Sequence, residues 1–224
     1  MTIACTKHPR ITSFRWFAFL LWCAFATMQA IAVAEPGLDL TLRRLVESPG
    51  ATNPWEVKEQ RATWDPNRTA VVVCDMWNAH WCKGATARVA EMAPRMNSVL
   101  NALRQRGVLI LHCPSETMGF YQDHPARKLA QSAPKVDVQA QLQTCASQVR
   151  QEDLAHPIDS SDGGCDCQPQ CPQGPYPWTR EIATLEIKDG DAITDSVEAY
   201  YLMRQRGITN VLIMECMRTP AQPG

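Results

Sequence analysis

Two stretches of this chain, LRQRGVLILHC and MRQRGITNVLIM, carry the same junction: a helix-like run, Arg-Gly, then an unbroken apolar run. Joints that short suit βαβ units, so the repeated junction predicts an α/β domain built on a mainly parallel sheet. A third run, TAVVVCDM, is apolar on both faces and ends at Asp75, as a central strand covered on each side requires. Between the first two strands, Val89, Met92, Met96, Val99, Leu100 and Leu103 recur at helical spacing, and Gly107 closes the helix. Pro94 either begins that helix or kinks it. Further on, IATLEIK reads as a strand and DSVEAYYLMRQRG as a helix capped by Asp195 and stopped by Gly207. ITNVLIM is the last strand.

The start of the chain reads differently. Lys7, Arg10 and Arg15 form a basic leader, residues 14–28 (FRWFAFLLWCAFATM) are largely apolar, and Ala32-Val33-Ala34 fits a small-x-small cleavage site. The apolar core is short for a bilayer span, which needs roughly 20 residues. Residues 1–34 are therefore expected to be a signal peptide cleaved after Ala34, and the mature protein secreted or periplasmic with no membrane association. A retained N-terminal anchor is the competing reading. Residues 35–68 hold Pro36, Pro49, Pro54 and Pro66 without a sustained period, and are expected to wrap the outside of the domain. A formal net charge of −1 gives no basic footprint, so nucleic acid is not an expected partner.

Residues 114–179 break the alternation of strands and helices. A helix is expected around residues 126–151, interrupted at Pro134, followed by the long Gly-, Pro- and Cys-rich loop SSDGGCDCQPQCPQGPYPW. Loops of that length inside a compact domain tend to be functional or stapled. Cys165, Cys167 and Cys171 place three thiols in seven residues. A closed zinc site takes four ligands, and His156 and Asp166 are poorly spaced to supply the fourth. In an exported chain, disulfides among these three are the favoured reading, and no metal site is expected.

Asp75 ends the first strand, at the edge where open α/β sheets bind ligands. It is either a functional carboxylate or the cap of the next turn. The residues that follow it, MWNAHWC, favour a small-molecule pocket with Trp77, His80 and Trp81 in its wall. Lys188 closes IATLEIK, where a strand-end ammonium competes with an ordinary Lys-Asp-Gly-Asp turn.

Taken together, AVVVCDM, an amphipathic helix into GVLILH, and a Lys one helix before RGITNVLIM resemble the isochorismatase-like cysteine hydrolases, which include nicotinamidases and related amidases. The resemblance covers residues 69–214, with residues 160–178 as an insertion. It implies a Rossmann-like three-layer αβα fold and cleavage of a C–N bond in a small amide. Asp75 would take and return a proton, and Lys188 would favour the thiolate of a cysteine nucleophile. It implies no organic cofactor, leaves a divalent metal of the nicotinamidase type as an option, and allows a homo-oligomer. After NVLIM the family pattern G-V-x-T-x-x-C-V is expected, but the chain has ECMRTPAQPG, and Cys216 comes too early to match. Back-translation allows a frame one base away that reads Met-Gly-Val-His-Ala-Asn-Thr-Cys. Residues 215–224 are therefore expected to be an aberrant tail, the last strand–helix units to be missing, and the chain as written to be inactive. The alternative is a pseudoenzyme or small-ligand-binding protein that keeps the fold without the nucleophile.

Overall fold

The computed structural model describes residues 37–47, 55–137, 165 and 167–215. Several expectations fall wholly or partly outside these residues: the signal peptide, residues 138–151 of the expected helix, most of the start of the Cys-rich insertion, and the tail after Glu215.

Four strands form one parallel sheet: β3 (Thr69–Cys74), β4 (Leu109–Cys113), β5 (Ala192–Ile193) and β6 (Asn210–Glu215), in the order β5-β4-β3-β6. With its helices, this makes the protein an α/β fold. The apolar run of β3 explains its central position. Val71 and Val73 are fully buried in one core cluster, while Ala70 and Val72 join another, as the two-residue period of a strand demands. Into the first cluster pack Val89, Ala93, Met96 and Leu100 of α1 (Lys83–Arg104), spaced by three and four residues. Three helices follow: α2 (Met118–Tyr121), α3 (Pro125–Gln131) and α4 (Glu198–Gln205). The second cluster receives Ala130 of α3 and Ala199 and Leu202 of α4. Each fully buried Val, Ile or Leu contributes about 1.5–3 kcal/mol relative to exposure.

Helix α1 continues through Pro94 rather than starting there, and Ser98 Oγ donates to the Pro94 carbonyl at 3.0 Å. Gly107 and Gly207 stand at φ +86° and +66° just before β4 and β6, so each Arg-Gly junction reverses through a left-handed residue.

Three expectations are corrected. The lead-in is not an irregular wrap: β1 (Leu38–Glu47) and β2 (Trp55–Trp64) form a ten-residue antiparallel ribbon, in register from Leu38↔Trp64 to Glu47↔Trp55. Only its Leu38, Leu40 and Trp64 end reaches the core, while Leu45 and Val57 stay exposed, so the ribbon lacks the apolar signal of a buried strand. IATLEIK is not a strand; an isolated bridge, Glu181 with Trp77, lies just before it, and the segment itself turns. The strand is the short Ala192–Ile193, whose neighbours Asp191 and Thr194 are buried with it. Finally, Asp195 does not cap α4, which begins after Val197 without a side-chain cap.

Among the described residues, no helix is long and apolar enough to cross a membrane.

Candidate functional site

Chain order reverses beside β3. From β3 the sheet grows through β4 to β5, and then α4 returns the chain to β6 on the other side of β3. The carboxyl ends of β3 and β6 therefore flank a topological switch point, where adjacent loops leave in opposite directions and open a crevice. Asp75 follows β3 there, and Glu215, paired in register with Cys74, ends β6.

The backbone at this edge is strained. Asp75 has φ +49° and Glu116, in the loop after β4, has φ +63°; among the described residues these are the two non-glycines in the left-handed region. Such geometry costs on the order of 1–3 kcal/mol per residue and persists where surrounding bonds over-determine it. Here they do. The Asp75 N–H donates to the Cys113 carbonyl at 3.1 Å, and Asp75 Oδ1 accepts the Ser115 N–H at 3.0 Å. The Glu116 N–H donates to Asp195 Oδ2 at 3.2 Å, and Glu116 Oε2 accepts the indole N–H of Trp178 at 3.2 Å. The carboxylates of Asp75, Glu116, Asp195 and Glu215 thus gather at one sheet edge.

An aromatic wall stands over it. Trp77 donates its indole N–H to the Ser115 carbonyl at 3.1 Å and stacks on Trp178, with centroids 4.2 Å apart and planes 8° apart. His80 stacks on the same Trp178 at 5.4 Å, and Trp81 tilts against His80 at 4.9 Å. The two loops that carry these rings are laced together. Asn78 Oδ1 accepts the Thr179 and Arg180 N–H groups at 3.0 and 3.2 Å, and the Ile182 N–H donates to the Met76 carbonyl at 2.7 Å.

The charges around this edge disfavour a thiolate. Cys113 is pushed up by its hydrogen bond with Cys74, by burial, and by the Asp75 and Asp195 charges. Cys74 is drawn down by the same hydrogen bond, against burial, Glu215 and Asp75. Burial and then Asp75 raise Glu215. The neighbouring carboxylates oppose a thiolate at both cysteines, so neither is assigned a nucleophilic role.

Asp75, Trp77, His80 and Trp81 therefore lie together, joined by Trp178, which the sequence reading did not single out. Lys188 is not with them. It precedes β5, so it lies at the amino end of a parallel sheet whose carboxyl end holds Asp75. The adjoining Asp189, Gly190 and Asp191 line a cleft with Gly107, Val108 and Leu109 at the start of β4. The half-exposed Lys188 ammonium pairs with Glu186 at 2.9 Å. The Asp–Lys partnership implied by the family resemblance is not assembled, because the strand it requires lies four positions further along the chain than IATLEIK.

A buried ionic network was also missed. His112, in the apolar run of β4, joins Glu181 Oε2 through Nδ1 at 2.8 Å and Asp191 Oδ2 through Nε2 at 3.3 Å. Arg104 forks onto Asp191, with Nε 2.9 Å from Oδ1 and Nη2 2.7 Å from Oδ2, and also donates to the Glu186 carbonyl at 2.7 Å. Burial opposes a charge on His112, but the Glu181 and Asp191 carboxylates prevail and raise its pKa to about 9. The signal was a histidine placed mid-strand among residues that must be buried.

The Cys-rich loop departs from the expected disulfides. Cys165, Cys167 and Cys171 are free thiols, and Cys82 joins them; the four sulfurs all lie within 4.8 Å of one another. The Cys82–Cys167 sulfurs are 3.8 Å apart, far from the roughly 2.05 Å of a disulfide.

Comparison with protein-family models, with curated proteins and with solved structures gives no match. The isochorismatase-like resemblance thus rests on this chain's own residues.

Proposed function

We propose that this protein binds a small molecule at the carboxyl edge of a three-layer αβα domain, with Asp75 as the group that exchanges a hydrogen bond or proton with it. The observation that carries this reading is the position of Asp75: a strained, half-buried carboxylate at the switch point between β3 and β6. The Trp77–Trp178 stack offers an apolar wall, and the acidic rim favours a neutral or cationic ligand over an anion. Titration of the full chain with small amides, amines and carboxylic acids, followed by tryptophan emission, tests it. Saturable quenching by amides or amines, weakened at least tenfold by Asp75→Ala, is the expected result. Saturation by none of them, or equal binding by Asp75→Ala, overturns it.

A second reading is the isochorismatase-like cysteine hydrolase, favoured by the position of Asp75 directly after a central parallel strand. Water would cleave a small amide to its acid and amine, with Asp75 moving the proton. This reading keeps Asp75 and loses Lys188, and the described residues supply no nucleophile for it. Release of amine from an amide panel, abolished by Asp75→Ala, would favour it over simple binding.

A further inference from the structure

The four sulfurs of Cys82, Cys165, Cys167 and Cys171 meet from two distant parts of the chain. Cys82 ends the loop after β3 and immediately precedes α1, and the other three belong to the Cys-rich loop. Cys82, Cys165 and Cys171 are buried, and Trp81 and Ala85 close over them. Burying thiols against one another gains little by packing alone, and the surrounding loop has few apolar side chains to form a core of its own.

We propose that these four cysteines hold one zinc ion as a structural tetrathiolate. The geometry is that of a single tetrahedral ion. With Zn–S bonds of about 2.3 Å, ligand sulfurs stand about 3.8 Å apart. The Cys82–Cys167 separation is 3.8 Å, and all four sulfurs fall within 4.8 Å of each other. That spacing is too wide for a disulfide and leaves no room for a cluster of several iron and sulfide atoms. Soft thiolates in tetrahedral array select zinc among the common divalent ions.

Backbone donors support the charge that such a site carries. The Lys83 N–H points to Cys171 Sγ at 3.5 Å, the Gly84 N–H to Cys167 Sγ at 3.3 Å, and the Cys171 N–H to Cys165 Sγ at 3.4 Å. Lys83 and Gly84 open the 22-residue helix α1, so two amides left unpaired by the helix are directed at sulfur. The positive end of its dipole also faces a centre that is doubly negative when four thiolates bind one divalent ion. The fourth ligand that the cysteine spacing could not supply is Cys82, separated from Cys167 by 85 positions.

The site has a structural consequence for the carboxyl edge. His80 Nδ1 accepts the Cys82 N–H at 3.1 Å, and the His80 ring stacks on Trp178. An ion binding Cys82 to the loop of residues 165–171 therefore clamps both loops that carry the aromatic wall. The metal assignment stands independently of the ligand-binding reading.

The test uses the full chain, produced in reducing medium with zinc supplied and freed of loosely held metal by gel filtration. Elemental analysis is expected to find one zinc per chain. Titration with a mercurial should release it in step with four thiols. Cobalt(II) in its place should give an intense sulfur-to-metal charge-transfer band and tetrahedral ligand-field bands. Cys82→Ser and Cys167→Ser should each fall to background zinc, while Cys74→Ser retains it. Zinc at background in the wild-type chain, a disulfide among the four in the unreduced protein, or full zinc in Cys82→Ser overturns the proposal. Should the serine variants fail to fold, the thiol-to-zinc ratio and the cobalt spectrum of the wild-type chain decide.

Discussion

His112 and Glu181 are joined by a 2.8 Å hydrogen bond between two side chains that are 0% and 2% exposed. Asp191 closes the other side of the imidazole, so a cationic ring sits between two carboxylates inside the sheet edge. With the folded pKa raised from 6.5 to about 9, the folded state holds a proton that the unfolded chain gives up first. The stabilisation is fully present below pH 6.5 and is lost as pH rises through 9. Its size is on the order of 3 kcal/mol. Urea midpoints measured from pH 6 to 9.5 should therefore fall, and His112→Gln should flatten that slope while lowering stability at pH 6. A wild-type midpoint that stays level or rises across this range would show that the ring is neutral.

Lys188 gives a sharp division between the binding site and the family pattern. Its ammonium is half exposed and pairs only with a half-exposed Glu186 among the salt bridges described, so solvent screens the pair and it adds little to stability. Lys188→Ala should change ligand affinity less than twofold and leave thermal stability nearly unaltered. Asp75→Ala should weaken the same binding at least tenfold. Loss of binding or turnover in Lys188→Ala would restore the lysine to the site.

The left-handed backbone at Asp75 makes the order of two substitutions informative. Glycine normally costs stability relative to alanine, but at φ +49° alanine bears the steric penalty that glycine avoids. Both lose the Ser115 N–H contact, so that term cancels between them. Asp75→Gly should be more stable than Asp75→Ala by about 1 kcal/mol in chemical denaturation. The reverse order would mean the residue is not held in the left-handed region.

Much of the scaffold was legible because its signals are local. The apolar runs of β3 and β4 are buried in the sheet, and that of β6 forms its edge strand, with Leu212 and Met214 packed on the core and Val211 and Ile213 exposed; α1 and α4 follow 3.6-residue periods, and the Arg-Gly junctions close with left-handed glycines. Asp75 and its aromatic neighbours could be found for the same reason, since they follow one strand directly. The ribbon β1–β2 escaped notice because most of it faces water, and β5 because its two paired residues are shorter than any period.

Composition and periodicity thus dictate which segments are buried and in what secondary structure, because burial and backbone hydrogen bonding act on neighbours along the chain. They do not dictate which distant side chains converge. Trp178 on Trp77, Glu181 on His112 and Cys82 among three loop cysteines are separated by 101, 69 and more than 80 positions. Only the folded path of the backbone brings those groups within a few ångströms, and it also carried Lys188 away from Asp75 by moving one strand a few residues along the chain.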